Sequence, residues 1–410
     1  MASKSSFLSD VRTGSGFVLG LPHFLRWRLT PEIARSIQRE RLRRRADDFL
    51  ANVKSQVFEN DASPYRALFA RAGCGYEDLA ALIRAEGLDA ALVRLISEGV
   101  YLTVDEFKGR RDVRRGTLSV PAGPGLLANR RAGHRVPVRT GGSRGSGTPI
   151  MIGFDYIVDC AVNVCLLLDI HGGIDWVKSD WEVPGGGAIF RILELGRFGR
   201  PVDRWFSQVD PASPGLHARY KWSARALRWG SLLSADRLPR VEHVPLDRPA
   251  PIASWMRSVL DSGRTPFLFT FPSSAVRIAL AAAESGVSLE GARFLVGGEP
   301  ITEARLKTIR AAGAMVIPRY GSVECGPISY GCLDPRRSDD THVNLDLHAV
   351  VHAAPGSSPP GLPAEALFLT GLRSAAPFVM INVNLGDRGV FERRSCGCPL
   401  EATVDGLHLH

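Results

Sequence analysis

The sequence predicts an α/β protein in which a mainly parallel sheet is followed by a small β-rich part. Three segments carry this prediction, because each begins with a short apolar run typical of a buried strand. Residues 267–274 precede an alanine-rich helical stretch over 275–285, and residues 292–300 precede an amphipathic helix over 302–312. Residues 314–324 begin a third such unit. Strands that alternate with helices at this spacing form parallel sheets, whose ligands bind at the carboxyl ends of the strands.

The remaining segments divide the chain into four parts. A run of helices begins at Pro31, and residues 155–170 are predicted to form a further helix. We expect residues 185–210 to be rich in loops and the sequence past Thr341 to be all β. The four predicted parts are a helical N-terminal segment over 1–100, a first α/β subdomain with a phosphate-binding loop over 101–265, a second α/β subdomain with nucleotide motifs over 266–340, and a β-rich subdomain over 341–410.

The composition is that of an ordinary globular protein. Hydrophobic residues make up 45% and charged residues 23% of the 410 residues, which excludes a disordered or fibrous protein. No run of about 18 apolar residues occurs, and the N-terminus lacks the apolar core of a secretory signal. We therefore expect a cytoplasmic protein that does not span a membrane. Seven dispersed cysteines, an odd number, argue against a disulfide framework.

The formal net charge of +9 could attract an anionic partner. The densest basic run holds six arginines between Arg35 and Arg45 and has no aromatic residues among them. Such a run is more typical of a solvated helix face than of a nucleic-acid patch. We therefore expect a small-molecule substrate and no nucleic-acid partner.

The glycine-rich segment RTGGSRGSGTP, residues 139–149, is the first motif with chemical content. Its glycines expose backbone N–H groups and leave hydroxyl side chains between them, a combination that can cradle a polyphosphate. A flexible linker has a similar composition, so both interpretations stay open for this segment alone. The GK[ST] ending of a Walker loop is absent, which argues against an ordinary P-loop NTPase.

Three further motifs follow predicted strands. VGGEP occupies residues 296–300 and YGSVE residues 320–324, and both lie where α/β proteins bind ligands. NLGD, residues 384–387, places a carboxylate after a glycine in the β-rich part. An aspartate in such a position is by itself more often a turn former than a functional residue.

Taken together in this order, the four segments resemble the adenylate-forming superfamily of acyl-CoA synthetases, and most closely its phenylacetate-CoA ligase branch. The resemblance spans Thr140 to Asp387. It implies the N-terminal core of such an enzyme. Because the chain stops at His410, we expect the swinging C-terminal lid domain of these enzymes to be absent from it.

The resemblance also implies a role for each motif. Thr140, Arg144 and Glu324 are the implied catalytic residues, with the loop that begins at Thr140 gripping the ATP phosphates and Glu324 holding Mg²⁺. Tyr320 would stack on adenine, and Asp387 would accept hydrogen bonds from the ribose hydroxyls. The implied nucleotide-binding residues are Gly142, Ser143, Gly145, Ser146, Gly298, Glu299, Pro300, Tyr320, Gly321, Ser322 and Asp387.

The implied activity is ATP-dependent activation of a carboxylic acid, with an acyl adenylate formed first and an acyl thioester of coenzyme A second. The branch favours a small aromatic acid, and Phe269 and Phe271 are candidate walls of its pocket. Ser146 stands where the family commonly has a lysine, and Asn382 and Asn384 stand where the branch has arginines. Two alternatives therefore stay open: a catalytically impaired homologue that binds nucleotide or acyl groups, and an adenylating enzyme that passes the acyl group to an amine or a carrier protein. A homodimer is also left open.

Four residues near the end of the chain predict a structural zinc site. Cys332 and His342 are followed at a distance by the pair Cys396 and Cys398, and three thiols with one imidazole can form a tetrahedral zinc site. Some relatives in the phenylacetate-CoA ligase branch resemble this arrangement. The alternative is that Cys332 is a buried apolar residue and His342 a surface one. Cys325 is a further candidate ligand.

Overall fold

The structure is a computed structural model that describes residues 19–129, 135–139, 149–183, 185–210, 213, 228–231 and 237–410. Its helices are α1 Pro31–Arg43, α2 Arg45–Val53, α3 Pro64–Arg71, α4 Tyr76–Glu86, α5 Leu88–Ser97, α6 Val104–Phe107, α7 Pro124–Leu127, α8 Phe154–Ile170, α9 Gly186–Leu195, α10 Ala250–Asp261, α11 Pro272–Glu284, α12 Glu303–Ala311 and α13 Glu401–Val404. A π-helical turn, Lys54–Phe58, continues α2.

The strands are β1 Val113–Arg115, β2 Leu118–Val120, β3 Arg135–Arg139, β4 Pro149–Gly153, β5 Val177–Glu182, β6 Arg204–Ser207, β7 Val241–His243, β8 Pro266–Thr270, β9 Arg293–Val296, β10 Met315–Ser322, β11 Gly326–Gly331, β12 Thr341–Val343, β13 His348–Val351, β14 Phe368–Gly371, β15 Phe391–Arg393 and β16 Leu407–Leu409. Three antiparallel pairs, β1 with β2, β3 with β4 and β13 with β14, form separate two-stranded sheets.

Ten strands form one sheet in the order β15-β16-β12-β11-β10-β9-β8-β5-β6-β7. The six strands from β10 to β7 are parallel to one another, and the remaining four pair antiparallel. This mixed α/β architecture confirms the predicted fold class. Because the parallel strands run in one direction, β5, β8, β9 and β10 all end at the same edge of the sheet, which we call the carboxyl edge.

Strand β8 shows how the parallel part of the sheet is covered on both faces. All five of its residues are buried, as is typical of a parallel strand between two layers of helices. Phe267 and Phe269 pack into the apolar core on the side of α8 and α9. Leu268 packs into the second core, with residues of α10, α11 and α12.

Two local expectations are wrong. Residues 185–210 are not rich in loops, because they contain α9 and β6. The helix begins with Gly186 and Gly187, which favour a loop, but its buried side, including Ile189 and Leu193, outweighs this weak propensity. The third predicted strand–helix unit is also different, since β10 continues through a tight turn into antiparallel β11.

The part past Thr341 is β-rich, with β12 to β16 and the short helix α13. Three of its strands extend the ten-stranded sheet instead of forming a separate barrel. The division of the chain into four subdomains stays a prediction. Within the described ranges, no helix combines the length and the apolar character that crossing a membrane needs.

Candidate functional site

The YGSVE motif forms a hairpin tip at the carboxyl edge. Strands β10 and β11 pair up to Ser322 opposite Gly326, with a register shift after Tyr320, so Glu324 lies in the three-residue turn between them. Gly326 adopts a φ of 71°, and a Cβ atom there would lie 2.6 Å from the Tyr156 hydroxyl oxygen. A glycine is therefore needed to close this turn.

Tyr320 and Asp387 join two of the predicted motifs. The Tyr320 hydroxyl donates a hydrogen bond to the Asp387 carboxylate, with 2.8 Å between the two oxygens. Burial, followed by the charge of Asp387, raises the pKa of Tyr320, so the phenol keeps its proton at neutral pH. Residues 67 positions apart are thus brought to one place. Asp387 itself is exposed, as a residue that contacts a soluble ligand should be.

The VGGEP motif lies directly after β9 at the same edge. Gly298 has a φ of 80°, and a Cβ atom there would approach the Phe271 ring to 2.9 Å. The Glu299 carboxylate accepts hydrogen bonds from the backbone N–H of Ser273, at 3.2 Å, and from its hydroxyl, at 2.9 Å. Glu299 therefore caps the start of α11, where a negative charge is stabilising. Pro300 accepts a bond from Arg305 through its carbonyl oxygen.

Glu324 is paired with a lysine that follows the short helix α6. The Lys108 ammonium forms an ion pair with Glu324 Oε1, and the side chains are only 18% and 8% exposed. Lys108 follows α6, whose first turn is closed by a capping box between Thr103 and Glu106. Glu106 is in turn bonded by Arg115, so this short helix is fixed on both sides.

Asn382 and Asn384 bond backbone groups. The Asn382 amide donates to the carbonyl oxygens of Leu92 and Val100, at 2.9 and 3.1 Å. Asn384 donates to the Leu367 carbonyl oxygen and accepts from the Gly386 N–H, which shapes the turn before Asp387. Both asparagines are buried and bond backbone groups, so they position the segment that carries Asp387.

The glycine-rich loop follows strand β3 in the sequence. Strands β3 and β4 pair as far as Arg139 opposite Pro149, and the loop lies between them in the sequence. Six of the predicted phosphate-contacting residues lie outside the described residues: Thr140, Gly142, Ser143, Arg144, Gly145 and Ser146.

A second group of residues lies at the antiparallel end of the sheet. Cys332, His342, Cys396 and His408 each offer a donor atom, and these four atoms all lie within 4.8 Å of one another. His342 and His408 face each other directly in the pairing of β12 with β16. Three of the four were predicted as zinc ligands, and His408 is added by the structure.

Hydrogen bonds orient both imidazole rings of this cysteine–histidine group. His408 Nδ1 lies 2.7 Å from an Asp340 oxygen, while its Nε2 has no partner among the described residues. His342 Nδ1 lies 3.3 Å from the Leu407 carbonyl oxygen, and its Nε2 lies 3.6 Å from Cys396 Sγ. Burial alone would raise the pKa of Asp340, but hydrogen bonds, including those from Arg394 and His408, lower it. A histidine held by a carboxylate in this way is typical of metal sites.

Cys398 lies beside the group, and Cys325 does not belong to it. A hydrogen bond from the Cys332 thiol lowers the pKa of Cys398 to about 4, so these two sulfurs are neighbours. Cys325 instead lies 3.1 Å from the Ser322 hydroxyl in the YGSVE turn, where burial raises its pKa to about 12. The expectation that Cys325 is an alternative ligand is therefore wrong.

Sequence reasoning missed Lys108, His408 and Asp340. Lys108 belongs to no recognised motif, and its only signal is rarity, because lysines number six in the whole chain. His408 and Asp340 lie 68 residues apart and meet only through the pairing of β12 with β16. Long-range strand pairing of this kind leaves no local pattern in the sequence.

No family model matches the sequence, and no curated protein matches it. Solved protein structures are similar to this chain in fold. One is a 2-hydroxyisobutyryl-CoA ligase in complex with 2-HIB-AMP and CoA in the thioesterification state, with a TM-score of 0.52 and 16% identity over 88% of this chain and 65% of that one. The same ligase in its postadenylation state with R3-HIB-AMP gives a TM-score of 0.50 and 16% identity over 90% of this chain. The chain has the adenylate-forming fold. It spans 65% of the length of both matched chains.

Proposed function

We propose that this chain activates a carboxylic acid with ATP, as enzymes of the phenylacetate-CoA ligase branch do. The acid's carboxylate oxygen would attack the α-phosphorus of ATP, forming an acyl adenylate and releasing pyrophosphate. The thiol of coenzyme A would then attack the acyl carbon, forming a thioester and releasing AMP. The observation that carries the proposal is the hydrogen bond between Tyr320 and Asp387. These residues lie next to the turn that holds Glu324, at the carboxyl edge of an adenylate-forming fold.

Glu324 is suited to hold Mg²⁺ in this reaction. Its carboxylate is nearly buried, and the ammonium of Lys108 lies beside Oε1, which supports a cation-binding role for this position. Mg²⁺ in nucleotide sites is commonly bound by one or two carboxylates together with the phosphates. When bound, the metal would neutralise charge on the phosphates. Tyr320 would contact the adenine ring, and Asp387, an acceptor with two oxygens, suits two ribose hydroxyls.

The finer parts of the proposal rest on the resemblance of the motifs. These parts are the small aromatic acid, the choice of coenzyme A over an amine or a carrier protein as acceptor, and assembly as a homodimer. A structural zinc ion in the cysteine–histidine group is also part of the proposal. It is supported by the soft thiolate and imidazole donors and by the carboxylate that orients His408.

A second candidate function is nucleotide binding without turnover. It is favoured by Asn382 and Asn384, whose amides are used by backbone carbonyls in a region where arginines would contact phosphate. Electrostatic contacts to the reacting phosphate usually supply much of the rate enhancement in such reactions. A chain that lacks them would bind ATP and react slowly.

The deciding experiment is ATP–pyrophosphate exchange by the 410-residue chain with a panel of acids, run beside ATP titrations. We expect exchange that depends on both acid and Mg²⁺, and a loss of about 10²–10³ in rate for Glu324→Gln. Glu284→Gln, at the exposed end of α11, is the matched control and should leave the rate unchanged. ATP binding without exchange would favour the second candidate. Absence of both would refute nucleotide binding altogether.

A further inference from the structure

A group of buried charged side chains lies beneath the carboxyl edge, on the side of the sheet covered by α8 and α9. We call it the charged cluster, and it draws its members from four elements. They are Asp180 and Glu182 of β5, Arg191 and Glu194 of α9, Arg319 of β10 and Tyr330 of β11. Each of the six side chains is more than nine-tenths buried.

The cluster adjoins the proposed nucleotide site. Arg319 directly precedes Tyr320 in β10, and Glu182 is the last residue of β5, so both lie at the carboxyl edge. Between them lies Phe269 of β8, whose ring centroid is 4.5 Å from the Arg191 guanidinium and 5.8 Å from that of Arg319. Phe269, expected to form an apolar wall for an aromatic acid, is therefore flanked by two cations and only 1% exposed.

The charges of the cluster do not balance. It contains three carboxylates and two guanidinium groups, and the ion pair between Arg191 and Glu194, at 3.4 Å, uses one of each. Arg319 is then the one remaining cation of the cluster for the two carboxyls of Asp180 and Glu182. Lys178, on the same face of β5, does not neutralise them, because its ammonium donates to the carbonyl oxygens of Leu195 and Arg200. With all three carboxyls ionised, one negative charge would be in excess, but burial and the charge of Glu182 raise the pKa of Asp180, so the pair holds a proton in place of that charge.

Several atoms of the cluster also have no hydrogen-bond partner among the described residues. They are both oxygens of Asp180, Oε2 of Glu182, Oε1 of Glu194, Nε of Arg191, Nε and Nη2 of Arg319 and the Tyr330 hydroxyl. A proton shared between the facing carboxyls of Asp180 and Glu182 would satisfy one oxygen of each. It would leave the second oxygen of Asp180 and both Arg319 donors unused. Native proteins leave few buried polar groups unpaired, so each such group calls for a reason.

We propose that the charged cluster binds the amino group of the substrate, so that the acid activated by this chain is an amino acid. This proposal rests on the proposed function. An ammonium group carries one positive charge and three donors and has no acceptor, so it would bond the free oxygens of Asp180 and Glu182 in place of the proton that they hold. The Nε and Nη2 groups of Arg319, which bond no carboxylate among the described residues, complement the carboxylate of the same molecule. An aromatic or aliphatic acid without an amine would still reach Arg319 through its carboxylate but would leave the oxygens of Asp180 and Glu182 unpaired, which is a strong source of discrimination between similar ligands.

The test measures binding of the twenty proteinogenic L-amino acids to the full 410-residue chain, by thermal shift and then calorimetry. Each hit is compared with its deaminated analogue, such as 3-phenylpropionate for phenylalanine. We expect at least one amino acid to bind and its analogue to bind at least about tenfold more weakly. Equal binding of analogue and amino acid, or no binding by any of the twenty, overturns the proposal.

Two variants separate a binding role from a structural one. Asp180→Asn and Glu182→Gln keep the side-chain volume and remove a buried charge, so both should stay folded, as circular dichroism would verify. We expect each to weaken amino-acid binding by at least about tenfold. Asp346→Asn is the matched control, because Asp346 is an equally buried carboxylate already bonded by Arg41 and Asn163, outside the cluster. Unchanged affinity in both cluster variants overturns the proposal.

Failure of this proposal and failure of the proposed function can be distinguished. ATP–pyrophosphate exchange that responds only to acids without an amine overturns the amino-acid assignment and leaves acid activation in place. An amino acid that binds through Asp180 and Glu182 but supports no exchange sustains the cluster as a binding site and overturns acid activation.

Discussion

Lys108 and Glu324 form an ion pair between residues 216 positions apart, in which the lysine that follows α6 neutralises a nearly buried carboxylate at the β10–β11 turn. The pair ties the segment that contains α6 to the site that the YGSVE motif builds.

Lys108→Met should destabilise the protein by about 1–3 kcal/mol, because it leaves Glu324 buried without a partner. Glu324→Gln removes the charge itself, so the double variant should recover part of this loss. Urea unfolding of the wild type and the three variants gives the coupling energy. Lys307→Met, at an exposed position of α12, serves as the control. Strictly additive effects of the two substitutions would argue against the ion pair.

Asp387→Ala should weaken ATP binding by about tenfold, since the ribose hydroxyls would lose a charged acceptor. Tyr320→Phe removes only the hydrogen bond to Asp387 and keeps the ring, so its effect on ATP affinity should be smaller. Calorimetric titration with ATP measures both. Asp247→Ala, at an exposed position of the β7–α10 connection, is the matched control. Equal ATP affinity for Asp387→Ala and the wild type would remove Asp387 from the nucleotide site.

Much of the parallel sheet could be predicted because its strands and helices carry strong local patterns. The apolar run that becomes β8 and the alanine-rich helix after it are both legible in the sequence, and α12 begins where Thr302 caps it. Helix α9 could not be predicted in this way. Its two leading glycines favour a loop, and only its packing under the sheet makes it helical.

The candidate sites also differ in how far local sequence patterns predict them. Tyr320, Glu324 and Asp387 stand in compact motifs, so their chemistry can be inferred from neighbouring residues. The charged cluster is spread over four elements, and Asp180 and Glu182 show in sequence only as polar residues at alternate positions of a short segment. Charges in a central strand look like surface residues until the covering helix is known.

Chelation of zinc should loosen the antiparallel end of the sheet and lower the thermal unfolding temperature. We expect one zinc ion per chain in protein purified without chelator. A four-coordinate ion leaves one of the five available donors unused. Cys332→Ser, His342→Ala and Cys396→Ser should therefore each lose zinc, whereas only one of Cys398→Ser and His408→Ala should do so. Metal analysis of each purified variant is the measurement, and a wild-type protein free of zinc would refute the site.

Asp180→Asn should make the protein more stable at pH 8 and flatten its stability between pH 5 and pH 8. Burial, followed by the charge of Glu182, raises the pKa of Asp180 above its unfolded value, while Arg191 from α9 opposes this. A raised pKa means that the folded state binds a proton that the unfolded state has released. Stability from this group is therefore present at acidic pH and falls as the pH rises from about 4 toward the folded pKa.

The asparagine variant has no charge to bury and does not lose stability in this way. We therefore expect its free energy of unfolding at pH 8 to exceed that of the wild type by about 1–3 kcal/mol. Urea unfolding at pH 5, 6.5 and 8 measures it, with Asp346→Asn again as the control. There the result should be a loss, because Arg41 would lose one of its two carboxylate partners and keep only Asp159. A residue that destabilises the fold yet is retained is typical of a binding site, where stability is exchanged for function. If Asp180→Asn were instead destabilised at pH 8, the carboxylate would be a structural anchor, and its assignment to the substrate's amino group would lose this support.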